Sequence, residues 1–244
     1  MRVMLAIARR ELGAYFSTPL AAVFLAVFVA AAGALTFYAG GFFEQGQANL
    51  TAFFYFHPWL FLVLMPAIGM RLWAEERRTG TIELLMTSPV AVWQTVVGKF
   101  LAAWVFSGIA LALTFPILVT VNLLGHPDNG VIIASYVGSL LMGGGILALA
   151  CFISALTGNQ VIAFVISVAA GLLFVMAGQE AVLAPLSGHL PDYLVELVRS
   201  LSPASHFEAL TRGVLQLVDV IYFVSFIALM LFLNCQIIEL RRGR

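Results

Sequence analysis

The side chains able to carry chemistry in this 244-residue sequence are few: four histidines, twelve acidic residues, twelve basic ones and two cysteines. Three classes of reaction can be tested against their spacing. Metal binding needs His, Cys or carboxylate ligands at ligand spacing, and His57, His126, His189 and His206 match no such motif. Covalent catalysis by serine needs a hydroxyl paired with a base. G-x-S-x-G and H-E-x-x-H are both absent, and the histidines fall at the ends of apolar runs or in loops. Nucleotide hydrolysis needs a phosphate loop, G-x-x-x-x-G-K-[ST]. The only lysine, Lys99, follows Val-Val-Gly at the edge of an apolar run, so the chain has no visible means of hydrolysing ATP. Cys151 and Cys235 lie within apolar runs and read as small buried hydrophobes. Gly143-Gly144-Gly145 sits in an apolar helix, where it signals close approach of another helix rather than a nucleotide loop.

What remains is a concentration of charge. The segment 71–99 carries Arg71, Glu75, Glu76, Arg77, Arg78, Glu83 and Lys99. Gly80 relieves the backbone at a turn, Thr81 is a good N-cap, and Glu83 sits just inside the following first turn, where it favours the helix dipole. Ile82, Leu84, Leu85 and Met86 make that helix apolar. Ser88-Pro89 reads as the start of a second helix, which runs past Gly98 and Lys99 into an apolar run. The segment is therefore expected to be a compact helical elbow with an acidic-basic entrance.

The elements that must position this elbow follow from composition. The sequence is 62% hydrophobic and only 10% charged, with a mean hydropathy of +1.03. Soluble domains are about 25% charged, so an ordinary soluble enzyme, a disordered chain and a nucleic-acid binder are excluded. Six runs approach the roughly 20 residues a bilayer-spanning helix needs. They are Leu20 to Gly40, Ala52 to Met70, Phe100 to Leu124, Val131 to Leu156, Val161 to Gly178 and Val220 to Ile238. Pro66 and Pro116 should kink the second and third. Ten basic residues fall on one side of these spans, and only Arg199 and Arg212 on the other. The rule that Lys and Arg stay inside then places both termini in the cytoplasm, in a bacterial-type inner membrane. The five acidic residues inside and seven outside do not separate in this way. Residues 1–18 form a unit of their own. Met4, Leu5, Ala8, Leu12, Tyr15 and Phe16 share one helical arc beside Arg2, Arg9 and Arg10, the pattern of a helix lying in the membrane interface, and Pro19 ends it. The reading is a single all-α, polytopic membrane domain over 1–244.

The long outer segment, 179–219, holds Pro185, Pro191 and Pro203 between stretches of helical spacing, Asp192 to Ser200 and Pro203 to Leu217. Ser202-Pro203 reads as N-cap and first helical residue. Ala181, Val182, Leu183 and Leu186 suggest helices that dip into the bilayer and return. Glu180, at the end of a span, is a functional candidate by virtue of its place.

The pattern Glu75-Glu76-Arg77-x-x-Gly80-Thr81-x-Glu83-x-Leu85-x-x-x-Pro89, followed by Gly98-Lys99, resembles the hallmark of ABC-2-type transporter permeases. In that family this segment is the coupling helix that docks into an ATP-binding subunit. The resemblance implies a type V exporter-like fold: interfacial N-terminal helix, six spans and outer re-entrant helices, with Glu180, His206 and Phe207 as gate candidates. It implies a separate ATPase subunit that carries the ATP and Mg, a second permease copy or homologue, and no cofactor on this chain. Three stretches look like the gliding-motility-associated branch: Ser17-x-Pro19 after Arg10-Glu11, Pro58-Trp59-Leu60-Phe61, and Ser202-Pro203-x-Ser205-His206-Phe207 with Arg212-Gly213 and Asp219. That branch is commonly accompanied by a membrane-anchored periplasmic partner. Two functional readings follow, a permease that exports a substrate and a mechanotransmitter that moves a partner but no cargo. An intramembrane enzyme is the remote third.

Overall fold

A computed structural model describes residues 2–44, 46–81, 90–187, 191–213 and 216–242. Its described elements are helical. The first, α1 (Arg2–Phe16), ends where Ser17 and Thr18 turn their hydroxyls back onto the Ala14 and Tyr15 carbonyls ahead of Pro19. Pro19 opens α2 (Pro19–Ala34), which continues into a π-helical turn at Leu35–Ala39. Two short helices follow, α3 (Thr51–Tyr55) and α4 (His57–Gly69), then α5 (Arg71–Thr79). The third apolar run gives α6 (Val92–Ala112) and α7 (Phe115–Leu124). Next come α8 (Asn129–Leu156) and α9 (Gln160–Met176). The segment beyond contains α10 (Glu180–Ser187), α11 (Asp192–Ser200) and α12 (Pro203–Thr211), and the last helix is α13 (Leu217–Arg242).

α8 is the axis of the bundle. It packs against α13, α4, α12, α9, α6 and α5. Its glycines make this possible: the glycine triplet puts Gly143 beside Phe61 of α4, Gly144 beside Trp104 of α6 and Ile227 of α13, and Gly145 beside Phe226. A Cβ on Gly144 would stand 2.7 Å from the Trp104 indole nitrogen, which donates instead to the Leu140 carbonyl at 2.8 Å. The close approach expected of this triplet is thus realised toward three helices at once.

Among the described residues, four segments are long and apolar enough to cross a bilayer: Ala21–Ala39, Val92–Leu124, Asn129–Leu156 and Leu217–Leu240. The second and fifth expected spans are helical but shorter. The second is interrupted at Phe56, because Pro58 cannot donate into a preceding turn and starts α4 afresh as its second residue. The fifth, α9, has 17 residues. Pro116 acts in the same way, starting α7 after a break at Leu113 and Thr114, whereas Pro66 is accommodated inside α4.

α1 does not turn its whole apolar arc away from the protein. Its half-buried stripe is Met4, Ile7, Ala8, Glu11, Leu12 and Tyr15, and that face lies along α6. Leu5 and Phe16, expected on the same arc, are exposed. Tyr15 stacks on Phe106 of α6 with ring centroids 5.0 Å apart. The second half of the outer segment is also shorter than its pattern suggested. α12 stops at Thr211, and Gly213 then takes a left-handed φ of +81°. Ser202 holds the expected N-cap position ahead of Pro203, but its side chain makes no capping bond. It is buried, and its hydroxyl donates across to the Val175 carbonyl of α9 at 3.3 Å.

Candidate functional site

The charged elbow begins with α5, whose buried face is Leu72, Trp73 and Ala74. The first N–H groups of any helix lack partners within the helix. Here Ser154, fully buried near the end of α8, supplies them. Its Oγ accepts from the Trp73 and Ala74 N–H groups at 3.2 and 3.1 Å and donates to the Met70 carbonyl at 2.8 Å. A side chain of the central helix therefore caps α5 and fixes where it starts. The other end of α5 closes at Gly80, which has φ +73° and an amide bonded to the Arg77 carbonyl at 3.3 Å. A side chain is strained at that φ, so the glycine expected to relieve a turn does so. The Thr81 hydroxyl lies 3.0 Å from Thr79 Oγ1 and 3.4 Å from the Glu76 carbonyl oxygen. The remainder of the expected coupling helix, including Glu83, Leu85 and Pro89, lies outside the described residues.

The charges on α5 divide into two sets. Arg78, Thr79, Gly80 and Thr81 are exposed, and Arg77 is half-buried. On the inner side Arg71 Nε donates to Glu75 at 2.9 Å, one turn along. Glu76 turns inward onto Lys99 of α6, with 2.7 Å between Oε1 and Nζ. The Lys99 side chain is only 3% exposed, and its Nζ also lies 3.3 Å from Glu11 of α1 and 5.5 Å from the centroid of the Trp73 ring. Arg10 donates to the same Glu11 oxygen at 2.7 Å. Burial pushes the Glu11 carboxyl up, but the charge of Lys99 and the Arg10 contact prevail and hold it below its ordinary value of 4.5. One ammonium thus ties α1, α5 and α6 together, and the network borders a cavity of about 210 Å³. A lone buried ammonium is prohibitive, so this lysine needs both carboxylates. Sequence reading reached Glu76 and Lys99 separately and missed Glu11. The available signal was helical spacing, since Glu11 belongs to the Met4, Ile7, Ala8, Leu12 and Tyr15 stripe.

A second cluster forms near the other end of α8. Val131 beside Gly213 and Ser154 at α5 are separated by 23 residues of helix, or about 35 Å. His206 Nδ1 lies 2.6 Å from Asp219 Oδ1, and Nε2 lies 3.0 Å from the Ser200 carbonyl oxygen. The ring stacks on Tyr222 at 4.0 Å, and the Tyr222 hydroxyl donates to the Leu201 carbonyl at 2.6 Å. These contacts clasp the end of α11 to α12 and to the start of α13. Phe207 is buried and faces His57, with ring centroids 6.4 Å apart. Glu180 is exposed in the first turn of α10.

His57 and Ser139 meet, with Nδ1 and Oγ 2.7 Å apart and both residues fully buried. This pair was not foreseen. Ser139 Oγ also lies 2.8 Å from the Ser135 carbonyl oxygen, and with its single proton given to that carbonyl the imidazole is the donor to the serine rather than its base. Phe53, Phe54 and Phe61 surround the ring. His189 lies outside the described residues, and among those described no three His, Cys, Asp or Glu side chains converge as a metal site.

The sequence from residue 34 to residue 235 matches the family described as ABC-2 family transporter protein. No curated protein matches the chain. The matched range includes α5, Lys99 and the His206 cluster. It begins within α2, so α1 and Glu11 precede it.

Proposed function

The chain belongs to the ABC-2 family of transporter membrane proteins, and from that premise we propose that it is the permease subunit through which a separate ATPase chain drives movement in the membrane. The ATPase would hold the ATP and Mg and would dock on the exposed end of α5, from Arg78 through Thr81, together with the segment that carries Glu83, Leu85 and Pro89. The permease would work as a pair, with a second copy or a homologue. In this reading the helices form six spans with both termini and the elbow in the cytoplasm, as the ten-to-two split of basic residues supports.

One observation carries the proposal. The described first part of the elbow, α5, is fixed to its neighbours: Lys99 joins it to both α1 and α6, and Ser154 joins it to α8. A push on the elbow would therefore tilt several helices together. The test is co-purification of a phosphate-loop ATPase. Charge reversal at Arg78 and Glu83 should abolish its capture while leaving the permease folded. Undiminished capture would refute the docking assignment.

A second reading, in which motion is delivered to an extracytoplasmic partner and nothing crosses, is favoured by how buried polar groups are used. Ser107, Ser139 and Ser167 return their hydroxyls to carbonyls four residues back in their own helices. Among the described residues, Ser107 and Ser139 have further contacts only with buried groups of α4, Met65 and His57, so these hydroxyls are used inside the bundle rather than lining a wet path. The gliding-motility-associated resemblance, supported by sequence stretches alone, belongs to this reading. ATP-dependent uptake or efflux by reconstituted vesicles would decide against it.

A further inference from the structure

Both nitrogens of the His206 ring face acceptors. Nε2 lies 3.0 Å from the Ser200 carbonyl oxygen at the end of α11, and Nδ1 lies 2.6 Å from Asp219 Oδ1 in the first turn of α13. A carbonyl oxygen only accepts, so Nε2 carries a proton. A bare ring nitrogen and an ionised carboxylate repel and do not approach to 2.6 Å, so a second proton lies between Nδ1 and Oδ1. Whether it sits on the nitrogen or on the oxygen, the pair holds one proton more than a neutral imidazole beside a carboxylate, and that proton belongs to the pair. Asp219 is only 4% exposed, and its other oxygen, Oδ2, is buried with no hydrogen-bond partner among the described residues. Without the shared proton this carboxylate would stand buried and uncompensated.

The proton therefore decides what α11 is attached to. A neutral imidazole has one N–H and serves one of the two acceptors, not both. The buried carboxylate is the costlier one to abandon, so its bond is kept and the Ser200 carbonyl is released. No residue of α11 is buried, and once Ser200 is free the Tyr222 hydroxyl on the Leu201 carbonyl is the remaining side-chain bond given above for that end. α12 is anchored independently, with Phe207 and Leu210 against Gly138 of α8 and Ser202 bonded to Val175 of α9. The neighbouring charges do not take over the role of the pair. Glu196 and Arg199 of α11 are exposed, and so are Glu208 and Arg212, which bond each other. α8 and α9, the other helices packed on α12, carry no acidic or basic residue.

We propose that His206 and Asp219 form a pH-sensitive latch for α11. While the pair holds its proton, the latch joins α11 to α12 and α13; as pH rises and the proton is lost, the end of α11 comes free and α12 stays seated. Imidazole is the side chain suited to such a change near neutral pH. In the orientation proposed above the latch faces the extracytoplasmic side, so it follows the pH outside the cell and not that of the cytoplasm. The latch itself needs neither nucleotide nor an ATPase, so its failure and that of the coupling reading are distinguishable.

Hydrogen exchange of the full-length chain in detergent, read as protection factors so that the intrinsic pH dependence of exchange divides out, tests it. The two conditions are about pH 5 and about pH 9, either side of the ordinary histidine range. Protection of the α11 amides from Glu196 to Leu201 should fall by about tenfold or more between them, the size of one hydrogen bond to a charged group. Protection of α12 from Phe207 to Leu210 should hold. Asp219→Asn separates a latch from a merely structural contact. The asparagine amide can donate to Nδ1 while Nε2–H of a neutral ring stays on Ser200, so no extra proton is needed and α11 should remain protected at the higher pH. His206→Ala should leave α11 weakly protected at both. Circular dichroism establishes that each variant is folded, and if His206→Ala unfolds, the parent chain and Asp219→Asn still decide. Protection of α11 that does not change with pH in the parent, a fall shared equally by α12, the same fall in Asp219→Asn, or full protection in folded His206→Ala would overturn the proposal.

Discussion

At the scale of the residue, Lys99 decides the most. Its ammonium is almost fully buried and is held by two carboxylates from helices that are distant in sequence. Removing one member of a buried ionic group leaves the others uncompensated and costs about 3–5 kcal/mol. Lys99→Met is therefore expected to lower the thermal unfolding midpoint in detergent clearly, whereas Arg78→Met, at an exposed position, should leave it nearly unchanged. Glu11 gives the same network a pH dependence with a defined sign. Its folded-state carboxyl lies below its ordinary value of 4.5, so its contribution is fully present above that value and is lost as pH falls through the folded value. Stability measured from pH 7 downward should fall on entering that acidic window. Glu11→Gln should flatten this part of the profile, and an unchanged profile in that variant would remove Glu11 from the account.

At the scale of the element, α5 is positioned by a neighbour rather than by its own sequence. Ser154 caps its first turn from α8, and losing such a cap costs about 1 kcal/mol. Ser154→Ala should accelerate hydrogen exchange at the Trp73 and Ala74 amides, while Ser154→Thr, which keeps the hydroxyl, should largely preserve their protection. Equal protection in the alanine variant would show that α5 does not depend on this cap. The same helix shows what was legible in the sequence. Gly80 was readable, because only a turn with left-handed backbone gives a glycine that meaning in a charged stretch. The break at Pro19 was readable for the same local reason. The inward turn of Glu76 was not, since helix rotation is set by packing against Lys99, 23 positions away. Ser202 and Pro203 take their expected places as N-cap and first helical residue, but the Ser202 hydroxyl, buried against α9, bonds the Val175 carbonyl and makes no capping bond. The shortening of the second span at Phe56 follows from Pro58, whose effect within an apolar run could be a kink or a new start. Local sequence does not distinguish the two, as Pro66 inside α4 shows.

At the scale of the whole molecule, two polar clusters sit near opposite ends of α8. The one around Lys99 gathers α1, α5 and α6, and the one around His206 gathers α11, α12 and α13. The scarcity of charge in the composition announced a membrane protein. The structure shows that seven of the described charged residues form bonds in the two clusters: Arg10, Glu11, Arg71, Glu75, Glu76 and Lys99 in one, and Asp219 in the other. The central claim is that α1, α5 and α6 move as one body when a partner ATPase binds nucleotide. Spin labels at Arg9 of α1 and Arg78 of α5, in a chain with Cys151 and Cys235 replaced by alanine, report the distance within that body, and a pair at Arg78 and Tyr193 reports its motion against α11. In vesicles containing the ATPase subunit, adding ATP and Mg should leave the Arg9–Arg78 distance unchanged and shift the Arg78–Tyr193 distance. In the Lys99→Met background the Arg9–Arg78 distribution should broaden and the shift should be lost. An Arg9–Arg78 distance that changes with nucleotide in the parent chain, or an Arg78–Tyr193 shift that survives in Lys99→Met, would contradict the account.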